Sequence, residues 1–414
     1  MNDIPIQFLP SDRDASGRTL GREEIELLHE VIEGGNLFCV PGNMVPRFER
    51  EFAEMYGMPH ARAVTSGTAA VHTALAALDI APGDEVVTTP ITDMGAISPI
   101  LYQGAVPVHA DVDPWTMNVT ADTIRPRISE RTKAIIVTHL FGNPCDMDPI
   151  MALAAEHDIP IVEDSAQAYL ATYKGQLVGT FGDLSTFSFQ QGKHMTTGEG
   201  GMVLSSDPEL ARRARVWADK GWNYDPQAPD HEFMGLNYRM TELQGAVGLA
   251  QLRKLPTMVA DRVKSVASLL ERIADIPGID PARVHPEAKC TWWRIPLFVD
   301  SDVTGVAPGE IEKSLIRVKV WAKAGYISRP TFHCAQFTEK RTFGDTWWPY
   351  SSHGAPLPPE TLEEYPGTAE ALRRVLVIPW TEHHTEEHAE YVADQIRSVV
   401  EGKRSGAASG GKGA

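Results

Sequence analysis

Lys193 stands in Phe187-Ser188-Phe189-Gln190-Gln191-Gly192-Lys193-His194-Met195-Thr196-Thr197-Gly198-Glu199-Gly200-Gly201, between an alternating apolar–polar run and a glycine cluster. Thr186 to Phe189 has the alternation and the β-preferring residues of a short strand, and the glycines predict a tight turn. A primary amine at such a junction is a candidate nucleophile, because it condenses with a carbonyl to a Schiff base. Lysines are mostly exposed charges, so the residue type alone does not decide. Ser66-Gly67-Thr68 lies between a predicted strand and a helix start. Free backbone N–H groups and the helix dipole make that junction a candidate phosphate site, while the bland reading is an ordinary N-cap. Glu163-Asp164-Ser165-Ala166-Gln167 follows the apolar strand Ile159–Val162. Asp164 either pairs with a protonated ring nitrogen or caps the next turn, and Gln167 is within reach of a neighbouring oxygen.

Taken together, a phosphate cup, an acid and a lysine, in that order, are the parts that a pyridoxal phosphate enzyme needs. Other side chains that could do chemistry read as structural. His384 and His388 share a helix face, with His383 beside them, but they sit at a helix start and no metal site is expected. His72 and His139 read as structural, and His194 is expected to face away from Lys193 because strand-like neighbours alternate.

The elements that must position these residues alternate strand and helix. Helices are expected at Arg22–Gly34, Pro46–Tyr56, Ala69–Leu78, Met94–Gln103, Met147–Asp158 and Pro208–Asp219. Strands are expected at Ala61–Thr65, Glu85–Thr89, Val106–Asp111, Ala134–His139, Ile159–Asp164 and Gly201–Ser205. This rhythm predicts an α/β fold, a mostly parallel sheet flanked by helices, with ligands at the carboxyl ends of the strands. Two helices, Met240–Lys254 and Thr257–Ile276, then lead to a smaller C-terminal α/β unit. That unit holds a strand at Trp292–Val299, a helix at Ala307–Arg317, a strand at Val375–Pro379 and a closing helix from Thr385 to Val400. The expected division is an N-terminal arm (1–20), a large domain (21–255), a small C-terminal domain (256–401) and a disordered tail (402–414).

The bulk numbers fit a globular enzyme, with 414 residues, 43% hydrophobic and 22% charged. A net charge of −17 argues against nucleic-acid binding, which draws on basic patches. No run reaches the ~20 apolar residues of a membrane helix, and no secretory signal is visible. The expectation is a cytoplasmic protein whose four cysteines are reduced and form no metal pattern.

Five ordered segments resemble the DegT/StrS family of fold type I, pyridoxal phosphate-dependent aminotransferases of keto-sugars and cyclitols. They are Val64–His72, Thr138–Met147, Val162–Ala168, Phe187–Gly201 and Gly235–Gln244. The resemblance spans residues 20 to 255 and is looser beyond. It implies that Lys193 carries the cofactor as a Schiff base and then moves the substrate proton, while Asp164 keeps the pyridine nitrogen protonated. It further implies that Gln167 lies near the ring hydroxyl, that Ser66, Gly67, Thr68 and Ser188 hold the phosphate, and that Asn237 reaches the neighbouring subunit of a homodimer with shared active sites. Family members usually stack an aromatic on the ring just after Pro90. Met94 falls at about that place, and a thioether also contacts ring faces. The loop carrying Tyr326, Arg329 and, further on, His333 would approach the substrate.

The implied activity is transfer of an amino group from glutamine or glutamate to a ketone of a sugar, sugar nucleotide or cyclitol. One alternative is a dehydrating, ring-aromatising enzyme of the aminohydroxybenzoate synthase type. A second is a non-catalytic, cofactor-binding regulatory protein. The family's deoxysugar dehydratases carry histidine where this chain has Lys193.

Overall fold

The computed structural model describes residues 9–327, 329–352 and 360–410. Helices α1 (Arg22–Gly34) and α2 (Met44–Tyr56) precede β1 (His60–Val64), α3 (Gly67–Ala77), β2 (Glu85–Thr88), α4 (Met94–Tyr102) and β3 (Val106–His109). After them come α5 (Ala121–Ile124), β4 (Thr132–Thr138), α6 (Met147–His157), β5 (Ile161–Asp164) and a two-residue hairpin, β6 (Thr172–Tyr173) and β7 (Gln176–Leu177). Strands β8 (Leu184–Ser188) and β9 (Gly201–Ser205) complete a seven-stranded sheet of order β1-β9-β8-β5-β4-β2-β3. Only β9 runs against the others, so the sheet is mostly parallel, as the alternation predicts. Its central strands are buried along their whole length, with Val, Ile, Leu, Met and Phe among buried polar residues that gather toward the strand ends.

Local chemistry explains the helix starts that matter here. Ser66 caps α3, its hydroxyl accepting from Ala69 N–H at 3.0 Å. Asp93 caps α4 through Gly95 N–H at 2.7 Å. From Ala69 onward α3 is buried on every side, which suits its Ala/Leu composition. Helix α1 is less well covered than its apolar face predicts: Val31 is buried, but Ile25 and Ile32 are exposed.

After α7 (Pro208–Trp217), the two helices expected on either side of Pro256 are a single helix, α8 (Glu242–Ile273). An interior proline costs about 3 kcal/mol. Here a continuous buried face outweighs it: Leu249, Leu252, Leu255, Met258, Val266, Leu269 and Ile273. Each such side chain contributes roughly 1.5–3 kcal/mol. Thr241 and Gln244 fix the start of α8 with a capping box.

The C-terminal part builds a second sheet from β10 (Ile279–Pro281), β12 (Arg294–Val299), β13 (Lys323–Ala324) and β14 (Val375–Pro379), in the order β10-β12-β14-β13. The short β11 (Ala288–Lys289) pairs instead with β6. Helices α9 (Ser301–Thr304), α10 (Pro308–Arg317), α11 (Ala335–Thr338), α12 (Pro366–Arg374) and α13 (Glu386–Gly410) surround it. Helix α13 continues past Val400 to Gly410, into the segment that composition reads as a disordered tail, and residues 411–414 of that tail lie outside the described residues.

Candidate active site

Strand β5 ends in two carboxylates, and the pleat sends them opposite ways. Glu163 is fully buried and accepts from the N–H groups of Gly179, Phe181 and Gly182, each at 2.7 Å. His139 adds a fourth contact through Nε2 at 3.0 Å, its Nδ1 being occupied by Cys145 N–H. His139 is therefore structural, as expected, and Glu163 fixes the end of the strand. Asp164 is buried too, but among the described residues it accepts only from Ala166 N–H, at 3.1 Å. Burial pushes its carboxyl above the usual range, while the nearby charge of Lys193 pulls it back.

Lys193 sits in a turn that the backbone ties at several points. Its N–H donates to Gln190 O at 2.9 Å, and Phe189 N–H donates to Gly200 O at 2.8 Å. Gly198 takes φ +82°, which a residue with a side chain rarely adopts. Arg18, from the N-terminal arm, is buried and donates to Lys193 O at 2.7 and 2.6 Å and to Gln191 O at 2.8 Å. Trp293 Nε1 donates to Gly192 O at 2.7 Å, and its ring lies 4.3 Å from Lys193 Nζ. Burial brings the lysine pKa down to about 8, against the pull of Asp164 and Asp93, while Arg294 adds to the fall. Roughly a tenth of the amine is thus neutral and nucleophilic at pH 7, and about half at pH 8. His194 faces the other way, its Nε2 against Thr291 O at 3.0 Å.

The start of α3 and the end of β8 close on each other. A Cβ placed on Gly67 would lie 2.7 Å from Ser188 Cβ and 3.0 Å from its Oγ. Glycine is required there, and the pair forms a cradle lined by helix N–H groups and a hydroxyl. Gln167 is buried and its Oε1 accepts from Phe141 N–H at 2.8 Å. The same side chain hydrogen-bonds Tyr326, whose ring packs edge-on against Phe141 at 4.7 Å and whose hydroxyl burial pushes up to about 12. The Tyr326 loop is held in place by Thr331, whose N–H donates to Pro90 O at 2.9 Å.

Of the expected residues, Asp164, Lys193, Gln167 and Tyr326 thus meet around one space, and Ser66, Gly67, Thr68 and Ser188 gather at the cradle. Met94 is half-buried in the first turn of α4. The neighbouring carboxylate of Asp93, not Met94, is the group whose charge reaches Lys193, Asp164 and Tyr326. Arg329 is exposed, and His333 packs edge-on against Phe332. Asn237 is exposed, beside the buried Asp219 that Arg239 and Tyr224 bond. The three C-terminal histidines are engaged locally: His383 with Thr19, His384 stacked on Trp380 at 4.0 Å, and His388 with Thr385. Sequence reasoning missed Arg18, Asp93, Trp293 and Arg294. Arg18 lies in a polar arm without periodicity, and Trp293-Arg294 opens a strand of the other sheet, so no local pattern marks them.

This fold and this constellation define a pyridoxal phosphate-dependent aminotransferase of fold type I. The chain belongs to the DegT/DnrJ/EryC1/StrS aminotransferase family, whose model matches residues 18–397. It is 41% identical over 297 residues to GDP-perosamine synthase of Caulobacter vibrioides, a match covering 70% of this chain and 77% of that protein. The solved aminotransferase from Psychrobacter cryohalolentis is 31% identical and superposes with a TM-score of 0.85, over 96% of this chain and 100% of its own. The structure of 3-amino-5-hydroxybenzoic acid synthase is 27% identical with a TM-score of 0.82, over 95% of this chain and 99% of its own. Among the described residues no helix is long and apolar enough to cross a membrane.

Proposed function

We propose that this aminotransferase moves an amino group from glutamine or glutamate onto the ketone of a nucleotide-linked sugar. The observation that carries the reading is a lysine of lowered pKa opposite a buried, sparsely bonded carboxylate, with a helix-start cradle beside them. The similarity to GDP-perosamine synthase supports a sugar nucleotide as acceptor class.

The residues present fit the cofactor. Asp164 is a carboxylate short of partners, which a protonated ring nitrogen would supply. The Gly67–Ser188 cradle, with Ser66 and Thr68, would hold the phosphate, and Gln167 would lie beside the ring hydroxyl. When bound, the group supplies an electron sink for the carbon that loses its proton. The protein's own share is positional and protic. Lys193 Nζ takes up and returns a proton, and its lowered pKa suits it to both duties near pH 8. Arg18 and Trp293 hold the backbone that carries it, and the Trp293 ring shields the amine from water.

The reading includes a homodimer. Leu37, Phe38, Met234 and Leu236 are exposed apolar residues around Asn237, with Met234 94% exposed. Glu242 N–H donates to Leu37 O, and Arg239 lies over the Phe38 ring, so the two segments form one surface. Such a patch is what a partner subunit covers, and it would bring Asn237 to the neighbour's cradle. Cys39, Cys145, Cys290 and Cys334 are free, which suits a reducing compartment such as the cytoplasm.

Borohydride reduction with pyridoxal phosphate, followed by peptide mass spectrometry, should place the cofactor on Lys193. Keto-sugar nucleotides should then take the amine from protein loaded with pyridoxamine phosphate. Absence of trapped cofactor in the intact chain would overturn the reading. Release of water with ring aromatisation would mark the dehydrating alternative instead.

A further inference from the structure

We propose that His109 is a positioning residue for the keto acceptor: from the end of β3 it pins the stretch that carries Tyr326 and Arg329, and so sets how tightly the acceptor binds without touching it. The proposal rests on the reading of the site as that of an aminotransferase with a nucleotide-linked keto-sugar as acceptor. His109 is fully buried, and its two ring nitrogens serve different parts of the C-terminal chain. Nδ1 lies 3.0 and 2.9 Å from the two carboxylate oxygens of Glu360, and Nε2 lies 3.0 Å from Thr331 Oγ1. A carboxylate only accepts, so Nδ1 carries a hydrogen. The Tyr365 hydroxyl closes the arrangement, donating to His109 O at 3.3 Å and bonding Glu360 as well.

Carboxylate, imidazole and hydroxyl stand here in the order of a hydrolytic triad. Thr331 is only 2% exposed, however, and its hydroxyl also lies 3.3 Å from Pro90 O, so no substrate reaches it. What the line does is fix a place. Thr331 N–H donates to the same Pro90 O at 2.9 Å, which docks the stretch on the turn between β2 and α4. Earlier in that stretch Tyr326 bonds Gln167 in the site itself. Arg329, between these two fixed points, is exposed. In a chain of net charge −17 it is a cation offered to the diphosphate of a nucleotide-linked sugar. Phe332 and Phe337 pack edge-on against the imidazole at 5.6 and 5.3 Å, and Phe332 stacks on Tyr365 at 4.7 Å.

The bland account is a buried ion pair that only holds the fold together. The fold has another hold at this place. Asp111 accepts from the N–H groups of Gly367 and Thr368 at 2.8 Å each and from the Thr368 hydroxyl at 2.7 Å. Losing Nε2 therefore frees the Thr331 side first, and with it the outer support of Tyr326 and Arg329. The Lys193 turn is held by other contacts, from Arg18 and Trp293. A positioning role thus loads the loss on the acceptor, whereas a structural one spreads it over both half-reactions.

His109→Asn keeps an amide where Nδ1 faces Glu360 and removes Nε2. Thr331→Val removes the hydroxyl alone and takes its place if the first variant melts early. Hydrogen exchange in the peptide covering Tyr326 and Thr331 should quicken by about tenfold, the scale of one lost hydrogen bond, with the Lys193 peptide unchanged. In holoenzyme, GDP-perosamine offered as the amine source in the reverse half-reaction should show KM raised on the order of tenfold at nearly unchanged kcat. The half-reaction with glutamate or glutamine should not move. Where wild type leaves GDP-perosamine untouched, UDP- and dTDP-linked amino sugars replace it as probes. Unchanged exchange overturns the proposal. So does faster exchange with both half-reactions unmoved, and so does an equal loss in both. Wild-type protein that takes an amine from none of these donors sinks the aminotransferase reading, while the exchange still decides whether His109 holds the stretch.

Discussion

Asp164 and Gly67 have opposite sensitivities, and each can be tested alone. Asp164→Ala removes the acid but leaves the cradle and Lys193, so pyridoxal phosphate should still bind while turnover falls by about a hundredfold or more. Full turnover in that variant would remove Asp164 from the chemistry. Gly67→Ala inserts a methyl 2.7 Å from Ser188 Cβ. Overpacking of this kind costs about 1–3 kcal/mol, and here it falls on the cradle. Cofactor affinity, read by fluorescence titration, should drop at least tenfold while the circular dichroism spectrum is unchanged. Glycine type and position made this residue legible from sequence alone. Arg18 and Trp293 were not legible, because each reaches the Lys193 turn from a distant segment. The departure from an aromatic at Met94 is visible in the sequence, and the structure sets that residue half-buried in the first turn of α4.

At the level of elements, the periodic segments were readable to within a few residues, since burial on a sheet or helix face writes itself into the apolar spacing. Helix α8 shows where this stops. Pro256 reads as a break, yet Leu255, Met258 and Val259 carry the buried face straight past it. Strands of two residues, such as β6, β7, β11 and β13, are too short for any period to show. The α8 cap gives a direct test. Thr241→Ala removes the hydroxyl that accepts from Gln244 N–H and should cost about 1 kcal/mol in denaturant unfolding. Glu163→Gln is harsher, because an amide cannot satisfy three N–H donors and the ring N–H of His139 as a carboxylate does. A loss of several kcal/mol is expected, together with loosening of Asp164 next to it, visible as weaker cofactor binding.

For the whole molecule, the exposed patch and the buried histidines set the terms. Phe38→Asp should turn the dimer into monomers in light scattering and weaken cofactor retention, as Asn237→Ala should weaken retention without dissociating the dimer. A monomeric wild-type protein with full cofactor affinity would end the shared-site reading. Burial pulls His72 down to about 4 and His384 down to about 3. Their unfolded value is about 6.5, so the unfolded chain binds protons that the folded one refuses. The stability they contribute is intact above pH 6.5 and is lost as pH falls toward 4 and 3. Each histidine removes about 1.4 kcal/mol of stability per unit fall in pH in that window. His72→Asn should flatten the acid side of the unfolding curve by about one histidine's worth.

Arg18 has a consequence in time. Its partners, Gln191 and Lys193, lie 173 and 175 residues further along the chain. A contact that spans so much sequence closes late, because the loop it completes must first be brought together. After dilution from denaturant, helical signal should therefore return well before the lysine acquires its unusual reactivity. During synthesis, the arm leaves the ribosome long before the turn it must hold, and waits without its partner until most of the large sheet has been made.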